Sequence, residues 1–174
     1  MNAILRLFAP PRFLAMSAAG VEISDAFVRV VQLSGSWGNA RIEWWAEEPL
    51  PQGAVVGGAL SHASAVAETL ARIRRAHRFD FAHVSLPEQH AYLFEVTLAG
   101  NTTPEEARQA VALRLEEEVP LRSSDAVFDA APAPLLGTIA PGAPRRYFAG
   151  AAARKTVEAY ARVCAEAGFA PLSL

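Results

Sequence analysis

GVEISDAFVRVVQL, residues 20–33, is the stretch that decides the fold. Two runs rich in β-branched residues, Ala18–Ser24 and Phe27–Leu33, meet at the short polar turn Ser24-Asp25-Ala26. Gly35, Gly38 and Asn39 then punctuate the chain before a third apolar run, Ala40–Ala46. This pattern predicts a three-stranded antiparallel meander, with Trp44 and Trp45 on opposite faces of its last strand. Small and polar residues at the first turn leave backbone N–H groups free to face an anion. Glu22, just before it, is placed to hold the metal that accompanies a phosphate. An ordinary β-hairpin carries the same pattern.

Outward from the meander, a loop with Pro49, Pro51, Gly53, Gly57 and Gly58 leads to a helix at about Ser61–Arg78. Val66, Leu70, Ile73 and His77 form its apolar stripe, while Arg72, Arg74, Arg75 and Arg78 decorate solvated faces. Phe81–Leu86 reads as a strand. Beyond Pro87, His90–Leu98 alternates, with Tyr92, Phe94, Val96 and Leu98 on one face. Thr103-Pro104-Glu105-Glu106 is a helix start with a capping box, and Ala107, Val111 and Leu115 form the buried stripe that Pro120 ends. Ala126–Ala131 and Arg145–Ala152 follow as strands, separated by the loop Pro132–Pro144 with its four prolines and two glycines. Arg154–Ala167 is a helix capped by Gly168, and FAPLSL at residues 169–174 starts one more strand. The second half therefore reads as helices on one face of a small antiparallel sheet.

Composition narrows the function. Net charge is −2 and no long basic run occurs, which excludes an electrostatic footprint for nucleic acid. The lone cysteine, Cys164, lies on a helix's apolar stripe, reads as a buried thiol and fits a reducing cytoplasm. No apolar run approaches the roughly 18 residues of a membrane span. The four histidines, His62, His77, His83 and His90, lack zinc-site spacing, and no P-loop or G-x-S-x-G elbow is present. No catalytic or metal-ligating set emerges.

Residues 20–33 resemble the first phosphate hairpin of the actin-like ATPase superfamily, G-[IV]-D-[IL]-G/S-S-x-x-[VI]-K. The blocks that follow, VSLPEQHAYLFEVTL, TTPEEARQAVALRLEEEVPL, SSDAVFDAAPA and RRYFAGAAARKTVEAYARVCAEAGFAPLSL, resemble in their order the PilM branch of pilus-assembly proteins, relatives of the cell-division protein FtsA. The resemblance runs from about Phe13 to Leu174, roughly the N-terminal half of such a protein. It implies an α/β (α+β) chain: a tail at 1–12, a partial actin-like (ribonuclease H-like) subdomain at 13–80, an inserted antiparallel sheet-plus-helices module at 81–170, and the start of a returning strand at 171–174.

The resemblance also implies a phosphate site for ATP with magnesium at Glu22, Ser24, Asp25, Ala26 and Arg29. Three departures stand against it. Glu22 replaces the usual Asp and is one methylene longer, Asp25 puts negative charge where phosphate would approach, and Arg29 replaces the compact Lys. The family's second phosphate hairpin and adenosine pocket belong to later sequence, so ATP hydrolysis by this chain alone is not expected. As a partner, the family implies PilN, a bitopic inner-membrane protein whose cytoplasmic N-terminal peptide is gripped in a groove. Leu86, Tyr92 and Phe94 are the candidate wall residues here, although the two aromatics sit at strand spacing and fit a core better. The expected role is a cytoplasmic scaffold, peripheral to the inner membrane, with a tendency to self-associate through uncovered sheet edges. Two alternatives remain open: a nucleotide switch completed by another chain, and the cytoplasmic part of a type II-like secretion protein.

Overall fold

The computed structural model describes residues 17–35, 38–133 and 142–174. The 1–12 tail and most of the Pro132–Pro144 loop lie outside them. Strand β1 (Ala19–Ile23) turns into β2 (Phe27–Ser34) and β3 (Arg41–Pro49), the expected antiparallel meander. Val21, Ile23, Val28 and Val30 point to one face and are buried, while Glu22 and Arg29 point to the other. Trp44 and Trp45, adjacent on β3 and paired in register with Gln32 and Val31, face opposite sides of the sheet. Trp44 stacks on His77 with centroids 4.2 Å apart, whereas Trp45 is 67% exposed.

Two short strands, β4 (Val55–Val56) and β5 (Ala59–Leu60), form a small hairpin inside the stretch read from sequence as a loop. Two-residue strands are too short to show a period, so only the Gly57-Gly58 pair marks the turn. Helix α1 (Ala63–His77) follows and buries Val66, Leu70 and Ile73, as its stripe requires. Strand β6 (Phe81–Ser85) then runs parallel to β1.

That placement moves the boundary expected at residue 80. β6 opens no inserted module; it joins the first sheet, whose order is β10-β6-β1-β2-β3. The module proper comprises β7 (Ala91–Leu98), helix α2 (Pro104–Glu118), β8 (Ala126–Pro132) and β9 (Arg145–Ala153). Its strands pair antiparallel in the order β7-β9-β8. Helix α2 lies across that sheet, with Val111 and Leu115 fully buried against Phe94, Val96, Ala149 and Ala151.

Helix α3 (Arg154–Ala167), expected on the small sheet, instead packs beside α1. Tyr160, Val163, Cys164 and Ala167 enter the same core as Leu70 and Val84. Gly168, at φ 92°, caps α3 in the left-handed region, and β10 (Ala170–Ser173) pairs parallel with β6. The chain thus returns to its first sheet within the described residues. One periodic stripe cannot say which of two apolar sheets a helix will cover, and the complementary stripe of α1 decides it.

Candidate functional site: a closed turn and an open apolar groove

The turn after β1 is held tightly by its own atoms. Ser24 Oγ donates to the Phe27 carbonyl at 2.9 Å and accepts from the Phe27 N–H at 3.0 Å. Asp25 takes two backbone donors, Gly57 N–H at 2.8 Å and Gly58 N–H at 2.9 Å. These bonds, Gly58 first, hold its carboxyl below the usual carboxylate range. Asp25 is therefore an internal anion on a pair of glycine N–H groups. Ala26 carries no side-chain chemistry; its carbonyl accepts from Leu50 N–H at 2.8 Å and ties the turn to the end of β3.

Arg29 and Glu22 lie on the outer face of the sheet. Arg29 Nε donates to Glu47 at 2.6 Å, and its guanidinium reaches Glu22 at 3.6 Å. The cavity beside the turn, about 340 Å³, is lined by Glu22, Asp25 and Glu88 together with Ser24, Gly58 and Ser85. No basic residue is among its described lining residues. Three carboxylates repel a phosphate, and Ser24 Oγ and the Asp25 carboxylate already have partners within the chain. The residues of this half therefore do not fit a nucleotide's phosphates.

A second cavity, about 490 Å³, lies on the face of the small sheet opposite α2. Leu93, Val127 and Phe148 project into it from β7, β8 and β9, with Leu86, Val157 and Leu174 on its flanks. Leu93 is 82% exposed and Phe148 45%. A large apolar side chain this uncovered, repeated on three adjacent strands, marks a docking surface.

The candidate wall residues separate here. Leu86 lines this cavity. Tyr92 and Phe94 do not: both pack under α2 in the module's core. Side chains alternate along a strand, so their neighbour Leu93 is the one that faces the groove. The alternation was visible in the sequence. Which face α2 would cover was not, and α2's stripe of Ala107, Val111 and Leu115 fits either reading.

Elsewhere among the described residues, no three metal-binding side chains cluster and no helix is long and apolar enough to cross a membrane. His83 Nδ1 meets Ser173 Oγ at 2.8 Å, linking β6 to β10, and His90 serves the Gly57-Gly58 turn.

No curated protein matches the sequence. Among solved structures, a chain of the "PilM-PilN type IV pilus biogenesis complex" aligns with a TM-score of 0.78 and 22% identity, over 91% of this chain and 46% of its own. The cytoplasmic domain of EpsL, an inner-membrane component of the type II secretion system of Vibrio cholerae, aligns with a TM-score of 0.54 and 12% identity, over 89% of this chain and 55% of its own. The chain thus spans about half the length of either. The fold is the mixed α/β, actin-like one that the sequence resemblance implies. The family model for the type IV pilus assembly protein PilM matches residues 20–172, and the chain belongs to that family.

Proposed function

We propose that this chain is a scaffold of type IV pilus assembly that grips the cytoplasmic N-terminal peptide of a bitopic, PilN-like inner-membrane protein. The apolar groove of Leu86, Leu93, Val127, Phe148, Val157 and Leu174 is its binding surface, and the chain works in the cytoplasm at the membrane's inner face. The open face of the small sheet carries the reading, because an exposed apolar surface on three strands costs solubility unless something docks there. A groove of this kind takes a peptide by apolar anchors, with polar hooks at its rim. The similar structure comes from a PilM–PilN complex, which supports a partner of this class.

In this role the chain does not turn over ATP. Asp25 on the glycine N–H pair and Arg29 on Glu47 favour a structural turn over a phosphate cradle. Affinity purification of the tagged chain from gently solubilised membranes, read by mass spectrometry, tests the role. Recovery of a small bitopic pilus-assembly protein supports it. Recovery of soluble proteins alone counts against it.

A further inference from the structure

Three side chains from three separate elements converge on the backbone of Gly57-Gly58, the tip of the β4–β5 hairpin. Asp25, from the β1–β2 turn, accepts both N–H groups. His90 Nε2 lies 2.9 Å from the Gly57 carbonyl, and because a carbonyl only accepts, Nε2 carries the proton. The Tyr160 hydroxyl, buried on α3, donates to the Gly58 carbonyl at 2.8 Å. Each polar backbone group of the pair therefore has a side-chain partner.

The fit is also steric. Gly57 and Gly58 have φ of 55° and 74°, in the left-handed region. A Cβ on Gly58 would lie 2.6 Å from Pro87 Cβ and 2.9 Å from His90 Cδ2. At Gly58 the tip is wedged against the bend that follows Leu86, with no room for a side chain, whereas Gly57 faces open space.

Apart from the β1–β2 turn that carries Asp25, the elements the tip touches also carry part of the groove. Leu86 precedes Pro87. Ala91 and Leu93 follow His90 on β7, and Val157 lies one helical turn before Tyr160 on α3. We infer that the Gly57-Gly58 tip is a positioning element for the groove: clamped by Asp25, His90 and Tyr160, it sets the spacing between the α3 wall and the β7 side. This rests on reading the groove as the peptide site. It predicts that the groove's width, and with it peptide affinity, depends on residues that never touch the peptide.

The test uses the full chain with spin labels on Glu95→Cys and Glu158→Cys, exposed positions on β7 and α3 that do not line the groove; Cys164 is fully buried and stays unlabelled. Distances across the groove are measured by pulsed electron resonance in the parent, in Tyr160→Phe and in Gly58→Ala. Tyr160→Phe removes one hydroxyl and keeps the ring, so it preserves packing where Gly58→Ala risks misfolding. A labelled synthetic peptide, the cytoplasmic N-terminus of the PilN-like protein of the same genome, reports affinity in parallel. The expected result is a broadened or shifted distance distribution in both variants and about fivefold weaker peptide binding in Tyr160→Phe, the worth of one net hydrogen bond. Unchanged distances in variants whose circular dichroism is native would overturn the inference. If the parent fails to bind the peptide, the groove's assignment falls, and the distances still decide whether the tip sets its geometry.

Discussion

Arg78 ends α1 with φ 55° and ψ 59°, the only described non-glycine residue at positive φ. A Cβ in that region costs energy that glycine does not incur. Its cap bond, Arg78 N–H to the Arg74 carbonyl at 2.7 Å, involves backbone alone and survives substitution. Arg78→Gly is therefore expected to stabilise the chain by about 0.5–1 kcal/mol, seen as a higher urea midpoint with an unchanged slope. Asp25 gives a pH signature. Its carboxyl titrates lower in the folded chain than in the unfolded one, so its contribution is complete above the unfolded value and disappears as pH falls through the folded one. Asp25→Asn should flatten the loss of stability on acidification below about pH 4, measured by urea titrations at stepped pH. Tyr160 acts at the opposite end. Burial first, and the charge of Asp25 second, push its hydroxyl up to about 12, so its contribution is complete below the unfolded value and fades as pH rises through the folded one. Cys164, fully buried and pushed up to about 11 by burial, should react with a thiol reagent only when the chain unfolds.

At the level of elements, the periodic segments were legible and their partners were not. The capping box of Thr103 and Glu106 is present, with Glu106 accepting from Thr103 N–H at 2.8 Å. Thr103→Ala should cost about 1 kcal/mol, read as a shift of the urea midpoint. The stripes of α1 and α3 follow from spacing alone, because apolar residues at helical intervals must share one face. The sheet each strand joins depends on pairings distant in sequence, and Ala19 opposite Ala82 spans more than sixty residues. That is why β6 and α3 were expected in the inserted module. The same limit applied to Tyr92 and Phe94. Their alternation with Leu93 was plain, but the sign of the face was set only by α2. The β4–β5 hairpin escaped because its strands have two residues each, and with it went the clamp on Gly57-Gly58.

At the scale of the molecule, the five-stranded and three-stranded sheets each keep one face open among the described residues. On the five-stranded sheet, α1 and α3 cover one side; the other presents Leu33, Ile42 and Trp45, each more than half exposed, beside Gly20 and Val31. Sheets with parallel strands at their centre are ordinarily covered on both faces, and this one contains β10, β6 and β1 in parallel. The chain is expected to self-associate through this surface, with Trp45→Glu shifting light-scattering mass toward the monomer. A parent that stays monomeric at high concentration would contradict this. The groove on the small sheet is a separate surface, and its role is the account's central claim. The most direct test is the anisotropy of a labelled PilN-like N-terminal peptide titrated with the parent chain and with Leu93→Asp. Leu93 is almost fully exposed, so a charge there leaves folding intact while spoiling an apolar groove. Saturable binding by the parent, weakened tenfold or more in Leu93→Asp at an estimated cost of about 1.4 kcal/mol or above, is the predicted result. Equal binding by both, or none by the parent, would contradict it.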